Sequence, residues 1–207
     1  MATPRQTLTI GNVLRADIRG FVVASRIPEP EVPTFGTFVR APIQQGRTDL
    51  IGLVYNISLQ DDPFLKNLAI NLDQADEEII RDQRENRVIP VEISVAAVGY
   101  RDEKTYRYGL PPQPPMVLYR ITVCDADEVR AITASPNFMR PLLENRDVPA
   151  ADLIPAAIRR AAELLPEAAR EAFYLQAGRY LAHYLGRDPI QLEQILKQFS
   201  NPVTFQA

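Results

Sequence analysis

Cysteine is almost missing from this sequence: Cys124 is the only one. A disulfide within the chain and a four-cysteine zinc site are therefore excluded. A reducing, cytoplasmic setting is the expectation. Histidine is equally scarce, and any triad or histidine general base would have to use His183. No window approaches the ~18 consecutive apolar residues of a membrane-spanning helix. Met1-Ala2-Thr3-Pro4-Arg5-Gln6 leads into a strand pattern bearing Arg15, Asp17 and Arg19, so neither a signal peptide nor membrane attachment is expected. The dipeptide Gly-Lys occurs nowhere, so the phosphate loop G-x-x-x-x-G-K-[ST] is absent and hydrolysis of ATP or GTP by this chain is not expected. A single-sign charge surplus is lacking too. Residues 1–125 carry 14 Lys/Arg against 16 Asp/Glu, and residues 126–207 carry 9 against 10. A dedicated nucleic-acid binder usually concentrates basic residues on one domain.

What is present is an ordinary globular composition with 46% hydrophobic residues, enough for a real core at 207 residues. The first half has strand periodicity. Leu8, Ile10, Asn12, Leu14, Ala16 and Ile18 alternate with Thr9, Gly11, Val13, Arg15 and Asp17, a half-buried strand by period. Phe21–Ser25 follows as a hairpin partner. Pro28, Pro30 and Pro33 then space it from a strand over Phe35–Arg40. Leu50–Ser58 is apolar on both faces, as a central strand would be. Val91, Ile93, Val95 and Ala97 alternate, as do Val117, Tyr119, Ile121 and Val123. That makes six strands, with glycines at Gly11, Gly36, Gly52 and Gly99 where a small barrel must coil sharply. Asp73 could cap a short helical excursion, near residues 73–86.

After Asp125 the period becomes 3.6. Ser135-Pro136 reads as an N-cap with proline at the first helical position. Ile154, Ile158, Ala161, Ala162 and Leu165 form one apolar stripe, ended by Pro166. Ala169, Phe173, Ala177, Tyr180, Leu181 and Tyr184 form another, ended by Gly186, and Leu192, Ile195, Leu196 and Phe199 form a third. Such stripes must bury against something. The expected fold is α+β, with a six-stranded β-barrel over residues 1–124 and a helical region packed on it over residues 125–207.

Taken in order, Ile10-Gly11-Asn12-Val13, Phe35-Gly36-Thr37-Phe38-Val39, Ile51-Gly52-Leu53-Val54, Val98-Gly99-Tyr100-Arg101 and the run Leu110-Pro111-Pro112-Gln113-Pro114-Pro115 resemble a HAS barrel. This is the small barrel shared by HerA-type DNA translocases and the head subunits of rotary ATP synthases. The resemblance covers about residues 8–118. It implies a barrel that sits in a ring, holds subunits together and docks partners, with a HerA-type ATPase or a NurA-type nuclease as the partner candidates. The RecA-like motor that follows the barrel in HerA proteins has no counterpart among the remaining residues.

The chemical groups are read against that background. His183, on a predicted helix beside Tyr180, Tyr184 and Arg187, reads first as a partly buried structural residue. Asp61-Asp62, Asp76-Glu77-Glu78 and Asp125-Asp127-Glu128 read as caps or solvated loops rather than metal or acid–base groups. Cys124, next to Asp125, reads as inert packing. No catalytic residue, metal ligand or cofactor site is expected. Tyr100, Arg101, Lys104, Tyr106, Arg107 and Tyr108 interleave aromatics with cations, the combination that stacks bases and pairs phosphates; a strand-to-strand loop explains the run equally well. Candidate protein contacts are Val32, Phe35 and Phe38 on the proline-stiffened segment, and Phe199, Val203 and Phe205 at the last helix and tail. The expected function is a non-enzymatic accessory or assembly subunit that self-associates or joins a larger complex. A nucleic-acid-binding small barrel is the alternative, and an enzyme centred on His183 is a distant third.

Overall fold

A computed structural model describes residues 8–25, 33–59 and 91–200. Its first half is a closed, six-stranded antiparallel barrel. The strands are β1 (Thr9–Asp17), β2 (Gly20–Ser25), β3 (Phe38–Ile43), β4 (Thr48–Leu59), β5 (Val91–Asp102), β6 (Thr105–Tyr108) and β7 (Arg120–Val123). The ring runs β1-β7-β3-β4-β5-β2 and closes where β2 returns to β1. β6 stands outside it as a short hairpin arm on the end of β5. The barrel leaves no open edge among its six strands, which removes the usual hazard of unpaired strand backbone.

Five α-helices follow among the described residues: α1 (Ala126–Thr133), α2 (Arg140–Glu144), α3 (Ala150–Glu163), α4 (Glu167–Tyr184) and α5 (Pro189–Ser200). The expected α+β architecture is thus the one observed. Asp125 starts α1 with a full capping box, its carboxylate accepting the amides of Asp127 and Glu128 while Glu128 reaches back to the Asp125 amide. Ser135 caps a single 3-10 turn, Pro136–Met139, rather than a long helix.

Two cores share the barrel wall. Ile10, Val13, Phe21, Val23, Val39, Leu50, Val54, Ile93, Val95 and Ile121 fill the barrel interior. On the outer face Phe38, Ile51, Leu53, Ala96 and Val98 join the helical side chains Ile132, Phe138, Leu142, Leu153, Ile154, Ile158 and Leu181. β4 is apolar on both faces for this reason: Leu50 and Val54 look inward while Ile51 and Leu53 meet the helices.

Several strand expectations need correction. In β1 the buried positions are Ile10 and Val13, while Leu14 is exposed and Ile18 falls in the turn beyond the strand, also exposed. The pairing with β7 slips between Thr9 and Gly11, and the pairing with β2 between Val13 and Arg15. A bulge inserts one residue and turns the rest of the strand over, so strict alternation picks the wrong face. Phe35 and Gly36 form a turn, and β3 starts at Phe38 and runs on to Ile43. Val117 and Leu118 also lie in a turn, not in β7. Gly186 does not adopt a left-handed conformation after α4. The excursion near residues 73–86 lies outside the described residues.

Candidate functional site

The tyrosine–arginine run is a hairpin rather than a loop, and its geometry divides the run. Tyr106 stands opposite Arg101 and Tyr108 opposite Gly99, while Arg107 stands opposite Tyr100. Directly paired residues share a face of the sheet. Tyr106 and Tyr108 pack against the barrel–helix core. Tyr100 and Arg107 lie on the other face, where Tyr100 pairs with Leu50 of the barrel interior. Lys104 is exposed in the turn. The six residues are therefore neighbours in space, but they do not form one stacking platform.

Arg101 is engaged inside the protein. Its guanidinium donates to Asp49 on β4 and, at 2.9 Å, to Glu128 on α1. The same Glu128 oxygen accepts from Arg40 of β3 at 2.7 Å, and Arg40 also donates to Thr122 of β7 at 3.0 Å. Glu128 is buried, and its second oxygen takes the Asp125 amide at 3.0 Å. One carboxylate thus ties β3, β5 and the start of α1 together. Burial is the strongest single influence on Arg101 and works against its charge, yet Asp49, Tyr106 and Glu128 together outweigh it and leave the pKa raised. Tyr106 is pushed up by burial, partly offset by its bond to Arg101. Sequence reading missed this latch, because Glu128 and Arg40 are distant in the chain and neither belongs to a motif.

The other singled-out residues are scattered. His183 is exposed on α4, not partly buried. Its neighbour Tyr184 stacks on Tyr180 at 5.9 Å and donates to Glu144 at 2.9 Å. Cys124 is buried as expected, and its thiol is pushed well up by burial, with the Glu128 carboxylate adding to the effect. Phe38 cannot serve as a surface contact: it is buried with its ring 6.2 Å from Phe138. Phe35 remains exposed at the turn, and Phe199 is half-buried, 6.3 Å from Tyr174. Val32, Val203 and Phe205 lie outside the described residues, as do Asp61-Asp62 and Asp76-Glu77-Glu78. No group of three or more His, Cys, Asp or Glu side chains that could hold a metal occurs among the described residues. No described helix is long and apolar enough to cross a membrane.

A cleft of about 260 Å³ lies between the β1–β2 turn and the loop after α2, lined by Arg15, Asp17, Arg19, Tyr55, Asn145 and Asp147 among others. A second of about 180 Å³ shares Arg19 and Asn145 and adds Arg140 and Glu144. Arg15 is paired with Glu92 at 2.8 Å, and Arg140 lies 3.7 Å from Glu144. Acidic and basic groups alternate along this groove, so it presents no strong field of one sign.

A different surface stands out on the barrel. Leu110, Met116, Val117 and Leu118 are all exposed on the proline-rich segment ahead of β7, and Leu118 reaches 77%. The Leu118 amide donates to the carbonyl of Val13 at 2.8 Å, which sets the segment beside β1, where Leu14 is also exposed. Leu118 has φ +69, a left-handed conformation uncommon for a bulky residue. Period alone hides this, since it places Val117 in a strand. No protein-family model matches the chain, and no curated protein matches it.

Proposed function

We propose that the chain is a non-enzymatic assembly subunit that uses a HAS-like barrel to join a protein complex, with a HerA-type DNA-processing machine as the setting. The observation that carries this reading is the apolar turn Met116–Leu118. It presents three consecutive exposed apolar side chains from a backbone stiffened by four prolines between Pro111 and Pro115. Contiguous exposed apolar surface is a mark of interaction sites. A stiff segment loses little entropy on docking, and strained non-glycine backbone concentrates at functional positions. Single-strand binding by the β5–β6 hairpin is the weaker reading, because Arg101, Tyr106 and Tyr108 are committed to the helices.

Affinity capture from the native cell, followed by mass spectrometry, tests the proposal. The full chain should retain a stoichiometric partner, and Leu118→Asp should lose it while keeping its thermal unfolding midpoint. Capture of no partner, or a partner indifferent to Leu118→Asp and Met116→Asp, overturns the reading. A nucleotide turnover that survives repurification and vanishes on a point mutation in this chain would overturn its non-enzymatic part.

A further inference from the structure

The longest described helix, α4, is apolar on two opposite sides. Its packed side carries buried Ala177 and Leu181, with Phe173 and Tyr180 partly packed against the same core. At 3.6 residues per turn, Leu175 lies diametrically across from these and is 53% exposed. A surface helix normally turns polar residues outward there. Here exposed Ala168, Ala172 and Ala182 and half-buried Gly178 surround Leu175, and the charges beside it are Glu171 and Arg179. Gly178 is the least expected of them. Glycine inside a helix weakens it relative to alanine, yet a Cβ added at Gly178 would meet nothing within 4 Å. Packing within the chain therefore gives no reason for glycine at this position.

The arrangement is symmetric about Leu175. Glu171 stands four residues before it and Arg179 four after, each ~6 Å away along the axis. Ala172 mirrors Gly178 at three residues, and Ala168 mirrors Ala182 at seven. Among the described residues neither Glu171 nor Arg179 forms an ion pair. The residue one turn from both is Leu175 itself.

We propose that this face of α4 binds a second copy of the chain, the two helices lying antiparallel about a two-fold axis at Leu175. In that register Glu171 of each copy comes level with Arg179 of the other, giving two ion pairs around a central leucine contact. The interface is self-complementary, as a two-fold dimer requires. A parallel pairing would instead set Glu171 against Glu171. Small residues at Ala172 and Gly178 let the backbones approach. One helix pair covers less than the about 1,200–2,000 Å² typical of stable interfaces, so the dimer is a reversible one. The proposal does not rest on the barrel-mediated assembly argued above.

Sedimentation equilibrium of the full chain through the micromolar range tests it. Wild type should show a monomer–dimer equilibrium. Glu171→Arg or Arg179→Glu alone should weaken the dimer by roughly tenfold, because an attraction becomes a repulsion twice per dimer. The double reversal should return affinity to within about threefold of wild type, since the pair is then restored. Gly178→Leu fills open space in the monomer, so it should keep or raise the unfolding midpoint while abolishing the dimer. A wild-type monomer at every concentration overturns the proposal, and so does a dimer that ignores Gly178→Leu or is not rescued by the double reversal. Leu118→Asp should leave this equilibrium unchanged, which separates its failure from that of the barrel-mediated reading.

Discussion

At the scale of single residues, Glu128 decides more than any other side chain. Removing one partner of a buried ionic cluster leaves the opposite charges uncompensated. Arg40 and Arg101 keep about a quarter of their side-chain surface in water, at 29% and 25%, which softens that penalty. Glu128→Ala should therefore cost about 2–4 kcal/mol in urea unfolding. A loss under about 0.5 kcal/mol, the usual range for surface changes, would mean that the latch contributes nothing. Cys124 gives a second residue-level expectation. Its folded thiol is held protonated by burial and then by the Glu128 charge, so the folded state binds this proton more tightly than the unfolded chain. That contribution is fully present below the ordinary thiol range and is lost as pH rises through and beyond it. Tyr106, Tyr180 and Tyr184, all raised chiefly by burial, act in the same direction. Unfolding free energy should fall progressively on the alkaline side, and the thiol should resist a disulfide reagent until denaturant is added. Rapid labelling of native protein at neutral pH would contradict this.

At the scale of elements, the glycine bulge in β1 governs how the barrel closes. Gly11 has φ +147, and a Cβ there would lie 2.2 Å from the carbonyl oxygen of Ala24 on β2. Gly11→Ala thus meets both backbone strain and a steric clash with main chain, and it should cost about 2–4 kcal/mol. Chemical denaturation measures it, and a neutral effect would show that the bulge relaxes freely. The same bulge shows what the sequence could and could not reveal. Element type was readable, because period 2 gives way to period 3.6 near Asp125 and each stripe had to find a surface. The face of each strand was not, because a bulge shifts alternation and depends on pairing with distant strands. β6 was hidden for a related reason: Thr105–Tyr108 is short, polar-rich and paired only at the tip of β5. The candidate surface was legible only in part. The proline run was evident, but the exposure of Leu118 depends on a left-handed turn that hydrophobic pattern cannot report, and the Glu128 latch joins residues 88 positions apart.

At the scale of the whole molecule, the question is whether barrel and helices are two folding units or one. The barrel interior is a core of its own, filled from six strands. The second core cannot be assigned to either half, since Phe38, Ile51, Leu53, Ala96 and Val98 supply its floor and α1 to α5 supply its roof. Removing the helices would bare these five side chains to water, at roughly 25 cal/mol for each Å² exposed. Removing the barrel would leave α3, α4 and α5 only their contacts with one another, and helices of 14 and 18 residues draw most of their stability from the surface they pack on. The Glu128 latch crosses the same boundary and adds directional bonds to the apolar contact. Neither half is then stable without the other, and unfolding should be one cooperative transition with matching curves by circular dichroism and tyrosine fluorescence. Limited proteolysis should likewise fail to release two lasting fragments by cutting between Pro111 and Ser135, although that segment includes exposed residues such as Met116 and Leu118. Two separated transitions, or a clean nick giving stable pieces that no longer associate, would show that the shared core is too weak to couple them. A nick whose fragments stay together and unfold at one midpoint would still satisfy the prediction, because the packing, and not the connecting backbone, is what holds the halves as a unit.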